Sequence, residues 1–294
     1  MTRFNDRMAQ PGVLIADGAT GTVLMAAGLP RGVAPERWNL ENPEAVRTLH
    51  RSYIDAGSDI ILTNTFGGSS IRLEKDNLSE QARAINAAAA GLASEAAGED
   101  VLVFGDIGPS GKLLKPYGPL THEEAAASFA EQAAGLIEGD VDAILIETMS
   151  DLAEVRAAVD GVRRVTDLPI LITMSFDTRG HTMMGVKPSQ AIREIKKLGA
   201  YAVGANCGNT LIENLAAIEE MKTVEPDVIL IAKPNAGLPR MAQVGDTKKL
   251  TYDVTPEVMG EYALKFRDLG VKIFGGCCGS TPDHIRAAAD VLKK

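Results

Sequence analysis

Three cysteines, Cys207, Cys277 and Cys278, are the residues of this 294-residue chain best suited to chemistry. Their count is odd and two are adjacent, which argues against a disulfide framework. Each follows a short apolar run, in AVGANCG from Ala202 and KIFGGCCG from Lys272. Cysteines that merely filled a core would have no reason to gather at run ends. Three soft thiolates suit zinc, at about 2.3 Å per Zn–S bond, better than magnesium or calcium. An iron–sulfur cluster would ask for a fourth cysteine. Three protein ligands leave a fourth tetrahedral position open, as in catalytic rather than structural sites. Zinc on three thiolates is anionic overall, a poor Lewis acid for hydrolysis. It can still keep an incoming thiol ionised and electron-rich. The expected chemistry is therefore alkylation of a sulfur, not activation of water.

The adjacent pair imposes a condition. Consecutive strand residues point to opposite faces, so Cys277 and Cys278 cannot share one ion from regular strand geometry. Gly275, Gly276 and Gly279 supply the freedom for the chain to bend there. A strained vicinal disulfide is the alternative, disfavoured in a reducing compartment.

The elements that must position these residues recur in a simple order. Eight apolar runs begin near Val13, Asp59, Val101, Ala143, Ile170, Ala202, Val228 and Lys272. They are near-continuous rather than alternating, as in strands buried on both faces. Helical patterns lie between them, with start signals at Asn42-Pro43, Thr255-Pro256 and Thr281-Pro282 and a capping box at Thr121 and Glu124. Repeated β-α alternation predicts a single (β/α)8 TIM barrel occupying residues 1–294 as one domain, with an open doubly wound sheet as runner-up. Long strand-to-helix segments (19–41, 67–78 and 236–254) put the active face at the strand C-terminal ends.

On that face the sequence gathers Asp17, Thr63, Asn64, Asp106, Glu147, Ser175, Asn206 and Asn235 beside the cysteines. Asp17 and Glu147 suit the ammonium group of an amino-acid thiol, or serve as loop caps. Thr63 and the backbone around Gly18 and Ala19 suit its carboxylate. Asn235, in PNAGLP, is either a weak fourth metal ligand or a turn residue. His50, His122 and His284 fall on or at the starts of helices, and His181 in a loop, so none is assigned chemistry.

Net charge is −9, with no basic block, which argues against nucleic acid and anionic membrane as partners. Residues 1–10 carry no apolar leader and no run is long enough to span a bilayer, so the expected location is cytoplasmic.

The motifs DGATGT from Asp17, NTFGG from Asn64, GDIGPSG from Gly105, ET from Glu147, GANCG from Gly204 and GGCCGSTPDHI from Gly275 together resemble the homocysteine S-methyltransferase family. The resemblance covers nearly the whole chain. It implies a zinc barrel with Cys207, Cys277 and Cys278 as ligands, and homocysteine held by Asp17, Gly18, Thr63 and Glu147. Branches of that family take methyl from betaine, from S-methylmethionine, or from a corrinoid in methionine synthase. SFDTRGHTMMGV from Ser175 and PEVMGEYALKFRDLG from Pro256 are similar to short bacterial proteins assigned as betaine–homocysteine methyltransferases. No folate or cobalamin module is recognisable. Betaine or a similar onium donor is therefore expected. A quaternary ammonium wants aromatic faces, for which Trp38, Phe66, Tyr117 and Phe176 are the candidates. The alternatives are a methyl-corrinoid delivered by a separate protein, a different thiol substrate, and a non-catalytic zinc or thiol-binding protein.

Overall fold

The computed structural model describes residues 2–244 and 247–294. Its strands are β1 Leu14–Ile15, β2 Ile60–Leu62, β3 Leu102–Ile107, β4 Ala143–Met149, β5 Ile170–Met174, β6 Ala202–Cys207 and β7 Ile229–Pro234. A hairpin follows, β8 Arg240–Val244 and β9 Thr247–Thr251, and then β10 Val271–Phe274. All strands but the hairpin form one parallel sheet in the order β1-β10-β7-β6-β5-β4-β3-β2. A parallel bridge between Ala16 and Ile60 joins its two ends, so the sheet curls into a barrel instead of staying open. All eight expected runs are strands of this barrel.

Period-2 alternation divides each strand between two cores. One residue set packs outward against the helices: Val103, Ile144, Ile146, Ile172, Val203 and Leu230 belong to that layer. The other points into the barrel: Leu62, Phe104, Leu145, Leu171, Ala202 and Ile231 fill its lower half. Continuing the inward series by two residues gives Asp106, Glu147, Thr173 and Lys233, all buried. The barrel is thus packed with hydrocarbon below and lined with polar groups above.

The lower end is closed by the helix Arg3–Met8, which the sequence reading left unassigned. Phe4 and Met8 join the inner core, and the Phe4 ring meets Tyr201 edge-on at a centroid distance of 4.8 Å. Arg3 Nε donates to Asp142 Oδ1 at 2.9 Å, fixing the plug to the start of β4. Full burial of two such side chains stabilises by about 3–6 kcal/mol.

Helix starts follow local chemistry. Thr121 and Glu124 form the expected capping box, and Thr255 accepts from Val258 N–H. At the last helix, His284 Nδ1 accepts from Thr281 N–H at 3.2 Å while Nε2 donates to Val254 O at 2.9 Å. The helix Pro43–Asp55 begins with its proline, but the Asn42 side chain makes no cap bond. No helix among the described residues is long and apolar enough to cross a membrane.

Candidate active site

The strand ends bring the three cysteines together: their Sγ atoms all lie within 4.8 Å of one another. None is in a disulfide. The expected bend after the last strand is present, since β10 stops at Phe274 and Cys277 N–H donates to Pro234 O at 2.9 Å. Gly279 takes φ +79°, and a Cβ there would lie 2.2 Å from the Tyr252 ring. Gly275 serves a different purpose, close approach: a Cβ would meet Asp17 O at 2.8 Å. Cys207 ends β6 with φ +57°, a left-handed conformation uncommon for a side chain with a Cβ. Both limbs of the cluster therefore leave strand geometry where the sulfurs converge.

The cluster shares its charge unevenly. Hydrogen bonds from Cys277 and Cys278, with a smaller one from Asn235, hold the Cys207 thiol far down, at about 3. The same sharing, with burial, pushes Cys277 up to about 12 and Cys278 higher still. Three sulfurs so grouped, with no carboxylate among them, fit a soft divalent cation such as zinc. Asn235 Nδ2 donates to Gly208 O at 2.6 Å, and its buried Oδ1 has no hydrogen-bond partner among the described residues. That free oxygen suits a weak further ligand.

The cysteines line a cavity of about 380 Å³, within the range of small-molecule sites. Gly18, Asp106, Glu147, Thr148 and Lys233 line it too. Asp17 lies beneath, 2% exposed, with Oδ2 accepting from Leu62 N–H at 2.8 Å. Its Oδ1 and Asp106 Oδ1 have no partner among the described residues. Burial, opposed by Lys233, pushes the Asp17 carboxyl up to about 7. Burial and the Glu147 charge hold Asp106 well above the carboxylate range. Glu147 is raised by burial despite Lys233, whose Nζ donates to Glu147 Oε2 at 2.9 Å. Burial works against the Lys233 charge, but Glu147, Asp17 and Asp106 outweigh it and raise the lysine above its ordinary range.

Other expected residues fall elsewhere. Thr63 is buried with its hydroxyl engaged, 2.6 Å from Thr65 Oγ1 and accepting from Asp106 N–H at 2.9 Å, and it does not line the cavity. Trp38 packs against the outer core. Phe176 is buried, and Tyr117 is exposed. Of the four aromatics considered for a donor cage, Phe66 alone lines the cavity, joined by Tyr252.

Lys233, Tyr252 and Thr148 escaped the sequence reading. Strand period 2 makes Lys233 the next inward position after Ile229 and Ile231, the one signal that marks it. Tyr252 follows the hairpin, which had read as loop. Thr148 takes φ +61°, a strained conformation for a β-branched residue. Asn206 holds it there, accepting from Thr148 N–H at 2.8 Å and donating to Thr148 Oγ1 at 2.6 Å.

A parallel barrel with a three-cysteine cluster at its strand ends, beside buried acids, defines an enzyme barrel built to handle a thiol. The Homocysteine S-methyltransferase profile matches residues 14–292, and the chain belongs to that family of methyltransferases. Methionine synthase of Mycobacterium leprae is 31% identical over 302 residues, covering 96% of this chain and 24% of that protein. Methionine synthase of Mycobacterium tuberculosis is 32% identical, covering 94% and 24%. The chain therefore spans about a quarter of the length of these relatives. The metallated form of the Escherichia coli homocysteine methyltransferase MmuM has the same fold, with a TM-score of 0.81 at 20% identity over 98% of this chain and 99% of that one.

Proposed function

We propose that this barrel, as one domain over residues 1–294, is a zinc-dependent homocysteine S-methyltransferase that forms methionine. The observation that carries the reading is the convergence of three Sγ atoms within 4.8 Å, in a cavity also lined by buried acids. Cys207, Cys277 and Cys278 would hold the metal, with Asn235 Oδ1 as a weak fourth contact. Zinc on three thiolates supplies an ionised, nucleophilic substrate sulfur at neutral pH. The chain's own groups orient the amino acid. Asp17 and Glu147 face its ammonium side, and Gly18 offers backbone at the cavity wall, whereas the Ala19 N–H already donates to Ser280 O at 3.0 Å. Gly18 approaches closely there, since a Cβ would lie 2.8 Å from Ser280 O and 2.9 Å from the Tyr53 hydroxyl.

The methyl donor enters from the mouth. A methyl-corrinoid carried on a protein module is the donor the mouth favours. Exposed Met25, Leu113, Tyr117, Met183, Leu238 and Met241 all lie in segments that follow barrel strands, on the side of the barrel that carries the site, and Met25 lines the cavity itself. The similarity to methionine synthases supports the same reading. A small onium donor such as betaine is the second reading, supported by Phe66 and Tyr252 at the cavity wall.

The test is a donor screen. Zinc-loaded protein and homocysteine are mixed with betaine, S-methylmethionine, dimethylsulfoniopropionate or methylcobalamin, and methionine is measured. Methionine is expected with methylcobalamin. Formation with betaine alone reverses the order of the two donors, and no methionine with any donor overturns the proposal.

A further inference from the structure

Lys233 is 2% exposed and lines the cavity that holds the cysteines. An ammonium group has three donors. Among the described residues only one is used, by Glu147 Oε2 at 2.9 Å. On the same cavity wall Asp106 has a buried Oδ1 without a partner among the described residues, as has Asp17, which does not line the cavity. The spare donors of Lys233 and the free Asp106 oxygen, unmatched inside one buried cavity, are costly unless a ligand completes them.

A structural ion pair alone does not explain this set. Such a pair is often no better than packed apolar residues. It would also leave the Asp106 oxygen unmatched. A purely cationic ligand would satisfy the acids and leave the lysine donors idle. A purely anionic ligand would do the reverse and meet the acids head-on. A zwitterion matches both.

We infer that Lys233 is a specificity-determining residue that receives the α-carboxylate of the substrate, while Asp106 Oδ1 receives its ammonium group. The bowl then selects thiols that carry both charges on one carbon. This deepens the homocysteine reading and rests on it. It also moves part of ammonium recognition from Glu147, already held by Lys233, to Asp106.

Calorimetry on the zinc-loaded chain tests the assignment with three thiols. Homocysteine has both charges, 3-aminopropane-1-thiol lacks the carboxylate, and 4-mercaptobutanoate lacks the amine. Lys233→Met is expected to weaken homocysteine and 4-mercaptobutanoate by about tenfold or more, the weight of one charge-assisted hydrogen bond. It should leave 3-aminopropane-1-thiol unchanged or tighter. Asp106→Asn should weaken the two amines and spare 4-mercaptobutanoate. Because Lys233→Met strands the Glu147 charge, the double variant Lys233→Met/Glu147→Gln provides a neutral pair that should keep the carboxylate-selective loss. Equal weakening of all three thiols, or none, in Lys233→Met and the double variant overturns the assignment of Lys233 alone. If the unaltered chain binds none of the three, the homocysteine reading falls and takes the assignment with it.

Discussion

Asn206 Nδ2 lies 3.8 Å from Cys277 Sγ while the same amide grips Thr148, the neighbour of Glu147. Thr173 Oγ1 donates to Asn206 Oδ1 at 2.7 Å, which fixes which end of the amide faces the sulfur. One buried side chain thus ties the cysteine cluster to the acid that pairs with Lys233. Groups that orient metal ligands from behind commonly change affinity or activity 10–100-fold when altered. Asn206→Asp keeps the shape but turns an oxygen toward Cys277. Zinc affinity, read by competition with a chromophoric chelator, is expected to fall by about tenfold or more. Unchanged affinity would remove Asn206 from this role.

The cysteine cluster makes a direct prediction about metal. Protein purified without chelator should carry about one zinc per chain, lost on Cys278→Ser or Cys207→Ser. Chelation should stop methionine formation and added zinc restore it. Full activity in Cys278→Ser would falsify the three-sulfur site.

The N-terminal plug should matter to stability rather than chemistry. Phe4 is 1% exposed inside the barrel floor. Phe4→Ala is expected to cost about 3–5 kcal/mol in denaturant unfolding. The folded fraction should retain its homocysteine affinity, since the plug closes the end opposite the cysteines.

Acid stability has a buried contributor in His50. His50 is 1% exposed and neither ring nitrogen has a hydrogen-bond partner among the described residues. Burial lowers its pKa to about 4. At His50 the unfolded chain therefore binds more protons than the folded one between about pH 6.5 and pH 4. The His50 contribution is fully present above that window and is lost as pH falls through it, up to about 3 kcal/mol. His50→Leu should flatten this part of the stability–pH curve, measured by urea unfolding at several pH values. An unchanged slope would assign the acid sensitivity elsewhere.

Much of the barrel was legible in residues, and the reasons are physical. Strands buried on both faces must be apolar throughout, so ILITM and AILIE announce themselves. Turn glycines and threonine caps mark the ends. The cysteines were legible because nothing structural calls for sulfur at two strand ends. Side-chain direction was not. Trp38 sits in a segment on the active face, yet packs against the outer core. Thr63 ends its strand at the expected level, but its hydroxyl is consumed by Thr65 and Asp106. Lys233 was hidden inside VILIAKPN because a lysine after an apolar run reads as the strand's exit to solvent. The β8–β9 hairpin escaped because RMAQV and TKKLT carry no clean alternation to separate them from loop. The Arg3–Met8 helix was overlooked because six residues give too little periodicity to see.

Phe4 and Met8 seal the barrel floor, so among the described residues the cysteine cavity opens at the strand C-terminal ends. Whatever reaches the sulfurs must pass the same rim twice, and a second molecule arriving above it blocks the exit. On the proposed function, the amino acid bound deepest would be first in and last out. Traffic through this barrel is a queue in a blind alley, and its order is set by architecture before any affinity is considered.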